Sequence, residues 1–389
     1  MTSNLPLCIP WIDRAETLYS YCVFVHRFNR MPSSAATARL MMLAVHSTRQ
    51  HDLPCALSAL VKFVEPIFGD PVQALRQHTV AGFYWPFMAD QRRDAVAAEL
   101  ARPAGSVGLR LIGASTRTLS AAHPLKWCQD CLAEDLETLG RPRWRTAHQH
   151  PTTFVCLAHG IPLIEAGIGG KTWRWPGDEA PRSVMEACAE TLILAKVGGT
   201  ASTLDDIDFP RLRAATVNRL ADLGVIHSRN TARHARLQKW FKQTPVGRFL
   251  ARAPNGLSAL ASGEWLAKQI WRRPSAHAVR WTALWSTLEW ESAEQASAQL
   301  LNACSLEGSS QDGPRASAAM AWPRPCPPPA FENAVAECLS YEAIAGRLGV
   351  TRSDVVRWFE AYPALRSQWR ARWLAQRRRA SPQAVEPAA

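Results

Sequence analysis

The sequence lacks the segments that would place a protein in or across a membrane. No apolar run reaches the roughly 18 residues that a spanning helix needs. The first residues, MTSNLPLCIPWIDRAE, have neither the basic nor the apolar region of a secretion signal. We therefore expect a cytoplasmic protein. In that reducing compartment, ten cysteines scattered over 389 residues indicate buried thiols or metal ligands rather than a disulfide framework.

The sequence also lacks a recognisable catalytic constellation. It has no nucleophile elbow, no zinc-protease helix, no dinucleotide fingerprint and no acidic metal-binding trio. The stretch GGKT, Gly169–Thr172, resembles the end of a phosphate-binding loop. However, the first glycine of such a loop would fall at Glu165, and TWRWPG is a poor start for the helix that must follow. We therefore predict that the protein is not an enzyme.

Positive charge, by contrast, is present in excess. The formal net charge is +12, and hydrophobic residues at 47% with sixteen tryptophans indicate a chain that mostly folds. Clustered lysines and arginines gain affinity for phosphates by releasing counterions, so nucleic acid is the first partner to consider and a membrane surface the second.

Apolar residues recur at helical steps of three and four through most of the chain, with predicted core stripes at Leu18, Cys22, Val25 and Phe28 and at Ala278, Trp281, Trp285 and Leu288. The predicted fold is mainly α: a multi-domain helical protein with an inserted zinc-ribbon or knuckle module and a C-terminal helix-turn-helix. The predicted divisions are an N-terminal helical domain (1–120), the zinc-binding module (121–176), a helical domain (177–304), a Pro/Ser/Gly-rich linker (305–330), the helix-turn-helix with a basic C-terminal helix (331–379) and a disordered tail (380–389).

Two Cys/His pairs carry the clearest chemical signal. WCQDC supplies Cys128 and Cys131, and CLAHG supplies Cys156 and His159. Each pair has two intervening residues, so each forms a tight turn that presents two ligands to one ion, and the four complete a tetrahedron that suits zinc. Because the protein fills all four positions, we predict one structural Zn²⁺ rather than a hydrolytic site.

The loop between the two pairs, RPRWRTAHQHP, carries further groups. His148 and His150 are alternative ligands, or histidines at the surface or in hydrogen bonds. Arg141, Arg143 and Arg145 have three open roles: they offset the charge of the thiolates, contact phosphate, or are solvated.

The segment SYEAIAGRLGVTRSDVVRWFEAYP, Ser340–Pro363, has the spacing of a helix-turn-helix. The inward positions are Ile344, Ala345, Leu348, Gly349, Val350, Val355 and Trp358. A protein-binding or purely structural unit stays open, but the arginines that follow favour DNA. The predicted DNA-binding residues are Thr351, Arg352, Ser353, Val356, Arg357, Arg370, Arg377, Arg378 and Arg379.

Several segments, in their order along the chain, resemble the TniQ and TnsD family of transposition target-selection proteins. They are ETLYSY, GFYWPF at Gly82–Phe87, WCQDCLAED, RWRTAHQHP and VCLAHGIPLIE, followed by RRPSAHAVRWTALW at Arg272–Trp285. The resemblance implies zinc ligands at the four Cys and His positions above. Many relatives have another Cys pair soon afterwards, whereas here no cysteine follows until Cys188, which leaves a second zinc site open.

The family resemblance also implies a function. It implies a non-catalytic, DNA-binding adaptor of a mobile genetic element that selects a target site and recruits an AAA+ ATPase, and through it the transposase, for DNA transposition and recombination. The expected partners are double-stranded DNA and that ATPase, in the nucleoid of a bacterial cytoplasm, with no membrane; a homodimer is left open. Two alternatives stay open: a protein-only adaptor to a guide-RNA effector complex, and a zinc-containing transcriptional regulator.

Overall fold

The structure is a computed structural model, and it describes the chain in segments. These are residues 8–41, 51–53, 57–102, 107–115, 119, 122–167, 173–178, 180–226, 234–271, 277–304, 330–337, 340–348, 355–356, 358–359 and 362–380. The chain divides into two compact units, residues 1–308 and 309–389. Both are helical in their described parts, which confirms the predicted main class. Among the described residues, no helix is both long and apolar enough to cross a bilayer.

The first unit is built from short helices. Their bounds are α1 Leu18–Phe28, α2 Ser34–Leu40, α3 Leu57–Phe63, α4 Glu65–Phe68, α5 Pro71–His78, α6 Ala81–Tyr84, α7 Asp90–Leu100, α8 Gln129–Leu139, α9 Ala189–Ser202, α10 Phe209–Asp222, α11 His234–Gln243, α12 Pro245–Arg252, α13 Leu266–Trp271, α14 Ala278–Ser286 and α15 Ala293–Cys304. Single 3₁₀ turns lie at Trp85–Phe87, Thr146–Gln149 and Leu257–Leu260.

Side-chain caps fix where several of these helices begin. The hydroxyl of Thr17 accepts the backbone N–H of Ser20 at the start of α1. Asp70 and Thr244 cap α5 and α12 in the same way, and each is followed by a proline at the first helical position, where no backbone donor is lost. The local sequence therefore determines these boundaries before any tertiary packing is considered.

The predicted apolar stripes face one continuous core, with one exception. Ala278, Trp281, Trp285 and Leu288 are all buried, which confirms the stripe on α14. On α1, Leu18, Cys22 and Val25 are buried, but Phe28 is 55% exposed, so the prediction was wrong there. The reason is position: α1 ends at Phe28, whose ring packs edge-on against Phe24 at 5.6 Å, beyond the core.

A small antiparallel sheet interrupts the helices around the two Cys/His pairs. Its strands are β1 Lys126–Trp127, β2 Ile164–Ala166 and β3 Pro181–Val184, in the order β1-β2-β3. Lys126 lies opposite Glu165, and a bulge at Glu165/Ala166 shifts the pairing of β2 with β3. The strand β3 lies beyond residue 176, where the sequence analysis ended the zinc-binding module.

The second unit contains α16 Ala330–Glu337, α17 Tyr341–Leu348 and α18 Pro363–Ala380. Its own core comprises Phe331, Ala334, Val335, Ile344, Ala345, Val355, Trp358 and Phe359. Trp369 of α18 stacks on Tyr341 with ring centroids 4.7 Å apart. Of the inward positions predicted for the helix-turn-helix, Ile344, Ala345, Val355 and Trp358 are buried and Leu348 is partly buried.

Some predictions concern residues that the structure does not describe. These are Gly169–Thr172, most of the linker (305–329), Gly349, Val350, Thr351, Arg352, Ser353, Arg357 and the tail from 381. The interpretations of these residues stay predictions.

Candidate metal centre

The four predicted ligands are brought together by two turns of the chain. Cys128 is the N-cap of α8, which places Cys131 in its first turn. On the other side, the backbone turns back between Val155 and Pro162, which pair as an isolated bridge. Within that turn the N–H of Gly160 donates to the carbonyl of Cys156 at 2.8 Å, and Gly160 has φ +69°, a conformation that favours glycine. The CLAHG sequence thus folds locally into the second ligand-bearing turn.

The distances between the ligand atoms match a tetrahedral site. All four atoms lie within 4.8 Å of one another. The Cys131 and Cys156 sulfur atoms are 3.6 Å apart, and Nδ1 of His159 lies 3.5, 3.4 and 3.6 Å from the sulfurs of Cys128, Cys131 and Cys156. Bonds of ~2.3 Å to sulfur and ~2.0 Å to nitrogen would separate tetrahedral ligands by roughly 3.5–3.8 Å. The four side chains can therefore hold one metal ion.

The electrostatics of the cluster show what a cation would change. Burial raises the pKa of the Cys128 thiol, and the hydrogen bond between Cys131 and Cys156 raises the pKa of the first and lowers that of the second. Three sulfurs this close resist ionising together, because neighbouring thiolates repel each other. A divalent cation held by these side chains would offset that repulsion and favour the thiolate form of all three cysteines.

A hydrogen bond outside the cluster orients the histidine ligand. Nε2 of His159 lies 2.9 Å from Oε1 of Glu134 on α8, so Nδ1 faces the sulfurs. A carboxylate partner fixes the tautomer and the ring plane of a ligating imidazole. Glu134 also accepts from Nη2 of Arg145 at 3.0 Å. It thereby links the ligand set to the loop between the two Cys/His pairs.

The three arginines of that loop form ion pairs with carboxylates. Arg141 donates two hydrogen bonds, of 2.6 and 2.7 Å, to Glu16, whose side chain is fully buried. Arg143 pairs with Asp13 and with the buried Asp135, and Arg145 reaches Asp135 at 2.7 Å. All three arginines thus pair with carboxylates, a role that the sequence analysis did not name. Only Arg145 also acts on a thiol: the hydrogen bond with Cys156 raises the pKa of Cys131, and the positive charge of Arg145 partly opposes that rise.

Backbone hydrogen bonds, in addition to the ion pairs, join the metal-binding segment to the start of α1. The N–H of Thr17 donates to the carbonyl of Trp144 at 2.9 Å, and the N–H of Thr146 donates to that of Ala15 at 2.7 Å. The indole of Trp144 is fully buried, and its N–H donates to the carbonyl of Arg174. The RWRTAHQHP sequence thus packs into the protein instead of forming a solvated loop.

The two other histidines of the loop are buried. Nε2 of His148 lies 3.8 Å from the sulfur of Cys131, outside the four-atom cluster but within reach of a weak hydrogen bond to it. Burial lowers the pKa of His150 to about 3, so it is neutral near pH 7. Its carbonyl accepts from Nζ of Lys126, which also donates to the carbonyl of Thr153. Neither side chain lies at the surface.

Sequence reasoning missed the carboxylates of this region. Glu16, Glu134 and Asp135 were not singled out, although Glu16 begins the ETLYSY segment and the other two lie in WCQDCLAED. The signal that could have identified them was their presence in segments that resemble the TniQ and TnsD family. Nothing in the local spacing shows that Glu16 meets Arg141, since 125 residues separate them.

The predicted DNA-binding residues are described only in part. Val356 is half-buried and Arg370 is exposed on α18, while Arg377, Arg378 and Arg379 lie in the last turns of that helix. Arg372, also on α18, donates to the carbonyl of Val335 at 2.9 Å. Thr351, Arg352, Ser353 and Arg357 are not described.

Comparisons with known proteins support the family resemblance. The model of the family described as TniQ matches residues 8–163, which include α1 to α8 and all four residues of the Cys/His cluster. No curated protein matches the chain. This match over residues 8–163 agrees with the TniQ resemblance that the sequence motifs indicated.

Proposed function

We propose that the protein is a non-catalytic adaptor that selects target sites for DNA transposition. In this proposal it binds double-stranded DNA and recruits an AAA+ ATPase, which brings in the transposase. The observation that carries the proposal is the TniQ match over residues 8–163, since that family supports a transposition-related role. The net charge of +12 supports a nucleic-acid partner.

For the metal we propose one structural Zn²⁺ held by Cys128, Cys131, Cys156 and His159. Three sulfurs and one imidazole nitrogen at tetrahedral separations are the ligand set and geometry that zinc prefers. With four protein ligands no position is left for a reacting water. The ion would fix the orientation of α8 against the CLAHG turn, and so stabilise the ion pairs that the intervening loop makes with the start of α1.

DNA contact is proposed for the second unit. α16, α17 and the buried Val355, Trp358 and Phe359 provide a hydrophobic core of its own, as a helix-turn-helix requires. The side chain of Arg370 is exposed on α18, a helix with no acidic residue in its sequence. The proposed contacts are Thr351, Arg352, Ser353, Val356, Arg357, Arg370, Arg377, Arg378 and Arg379.

A DNA-binding titration of the full-length protein over a salt series tests this proposal. The DNA is a labelled duplex from the element's insertion site, with a scrambled duplex of equal length as control. We expect preference for the site. Arg370→Ala should reduce the slope of log K against log salt by about 1 if Arg370 contacts one phosphate. Arg102→Ala is the matched control, because Arg102 is an exposed arginine that pairs with Glu99 in the other unit.

Other outcomes would support the alternative functions. Equal affinity for both duplexes, or no binding by either, would contradict direct site reading. Retention of the ATPase by immobilised protein without DNA binding would favour the protein-only adaptor. Site preference for a promoter, with no ATPase binding, would favour the transcriptional regulator.

A further inference from the structure

The helix α8 packs against the protein in an unusual way for a surface helix. Its two buried residues are Cys131 and Asp135. Its three leucines face outward: Leu136 is 49% exposed, Leu139 is 39% exposed and Leu132 is half-buried. A surface helix normally turns its apolar side chains to the core and its polar ones to water. The fold of this chain therefore leaves most of the apolar side of α8 exposed.

Helical geometry places these leucines on one strip. Leu132, Leu136 and Leu139 follow one another at steps of four and three residues, so they lie within an arc of about 60° around α8. The same steps occur along the seam of two packed helices. One edge of the strip borders a turn, in which a Cβ on Gly177 would lie 3.5 Å from Leu132 and Trp175 is half-buried. We call this strip the leucine face; a contiguous apolar surface with polar surroundings is typical of a contact with another protein.

The charge of α8 is opposite to that of the whole chain. Its sequence, QDCLAEDLETL, has four acidic residues and no basic one, in a chain with a net charge of +12. Glu134 and Asp135 pair with arginines of the neighbouring loop. Asp130 and Glu137 are exposed, and neither has an ion pair in the part of the chain that the structure describes. Around the helix, the exposed Ala133 lies between these two carboxylates and the leucine face.

We propose that the leucine face of α8 binds an amphipathic helix of a partner protein, with basic residues of that helix beside Asp130 and Glu137. Such a helix complements both the apolar strip and the charge next to it. A second copy docked through its own α8 is a poorer fit, because it would bring like charges together, and the carboxylates would repel DNA or an anionic membrane. The inference rests on the exposure and charge of α8 and does not depend on the proposed role in transposition.

The test uses a designed helical peptide and the full-length protein. The probe is a labelled peptide of three heptads with leucine at positions a and d, lysine at e and g, and alanine elsewhere; the lysines keep it from pairing with itself. One control peptide has glutamate in place of lysine, and another has serine in place of leucine. We expect saturable binding of the lysine peptide in fluorescence anisotropy, and binding at least fivefold weaker with either control. Equal affinity for the lysine and glutamate peptides, or no binding, would overturn the proposal.

Variants locate the binding on the protein. Leu136→Ser combined with Leu139→Ser should weaken peptide binding by about ten- to a hundredfold, the loss expected for two half-exposed leucines, with little change in melting temperature. Leu40→Ser is the matched control, because Leu40 is 48% exposed on α2. Glu137→Lys should weaken binding by about two- to tenfold, and Glu264→Lys, at an exposed position outside α8, is its control. Unchanged affinity in both α8 variants would refute the site.

Sedimentation of the protein tests the rival occupant of the leucine face. We expect the double leucine variant to have the same oligomeric state as the unmodified protein. A dimer that this variant converts to a monomer would show that a second copy covers the leucine face, and the proposal of a separate partner would then be wrong.

Discussion

The ion pair between Glu16 and Arg141 should dominate the stability of the contact between the metal-binding segment and α1. Glu16 is fully buried, and Arg141 is 13% exposed. Glu16 accepts two hydrogen bonds from Arg141 and one from Ser20 at 2.7 Å. The guanidinium of Arg141 also lies 3.9 Å from the centre of the Phe24 ring. Removing the carboxylate would leave a largely buried cation without its counter-charge.

We therefore expect Glu16→Ala to lower the free energy of unfolding by about 3–5 kcal/mol, the range for breaking one side of a buried ion pair. At roughly 2 °C per kcal/mol for a unit of this size, the melting temperature should fall by about 6–10 °C. Glu186→Ala provides the comparison. Its pair with Arg252 has a similar distance of 2.7 Å but is half exposed, so we expect a cost below about 1 kcal/mol.

Thermal and urea denaturation, followed by circular dichroism, measure both variants. A double variant, Glu16→Leu with Arg141→Met, should recover much of the loss, because replacing both charges with apolar groups leaves none buried alone. Equal losses for Glu16→Ala and Glu186→Ala would refute the reasoning, since burial would then have no effect on the cost of removing the partner.

Three further predictions concern the metal, a buried histidine and a glycine. Cys128→Ser should reduce the metal content from about one ion per chain to none, and Glu134→Gln should weaken metal affinity by about 10–100-fold, both measured by metal analysis and chelator competition. Burial lowers the pKa of His277 from 6.5 to about 4. As the pH falls through this window, the unfolded chain therefore binds more protons than the folded protein, and the free energy of unfolding declines. Between pH 7.5 and 5.5 we expect the free energy of unfolding of His277→Gln to fall by about 1 kcal/mol less than that of the wild type, as measured by urea titrations. Gly82→Ala places a Cβ 2.2 Å from the carbonyl of Arg76 and should cost about 1–3 kcal/mol, whereas Gly346→Ala, with open space around it, should stabilise α17 by up to about 1 kcal/mol.

The features predicted well from the sequence depend on residues close together in the chain. The stripe on α14 was predictable because 3.6 residues per turn places Ala278, Trp281 and Trp285 on one face. Each Cys/His pair was predictable because two intervening residues form one turn. The exposed Phe28 shows where periodicity fails: a helix can extend past the core that its earlier residues pack against.

The features that sequence reasoning could not resolve depend on tertiary contacts. The loop arginines had three open roles, and their actual partners lie on two other segments: Glu16 and Asp13 before α1, and Asp135 on α8. A cavity lined by Glu190, Glu289 and Glu291 brings together residues from 189 to 293. No local sequence pattern predicts that these residues line one cavity, because within their own segments they are ordinary exposed or helix-terminal residues.

The TniQ match ends at residue 163, but the packing of the first unit continues past it. β1 pairs with β2, which begins at Ile164. Phe154 packs edge-on against Phe249 at 5.3 Å, and a Cβ on Gly198 of α9 would meet Thr152 at 2.5 Å and Phe83 at 3.1 Å. The hydrophobic core that starts at Leu18 includes residues as late as Cys304. The metal-binding segment therefore packs against α9 and α12, which lie outside the matched residues.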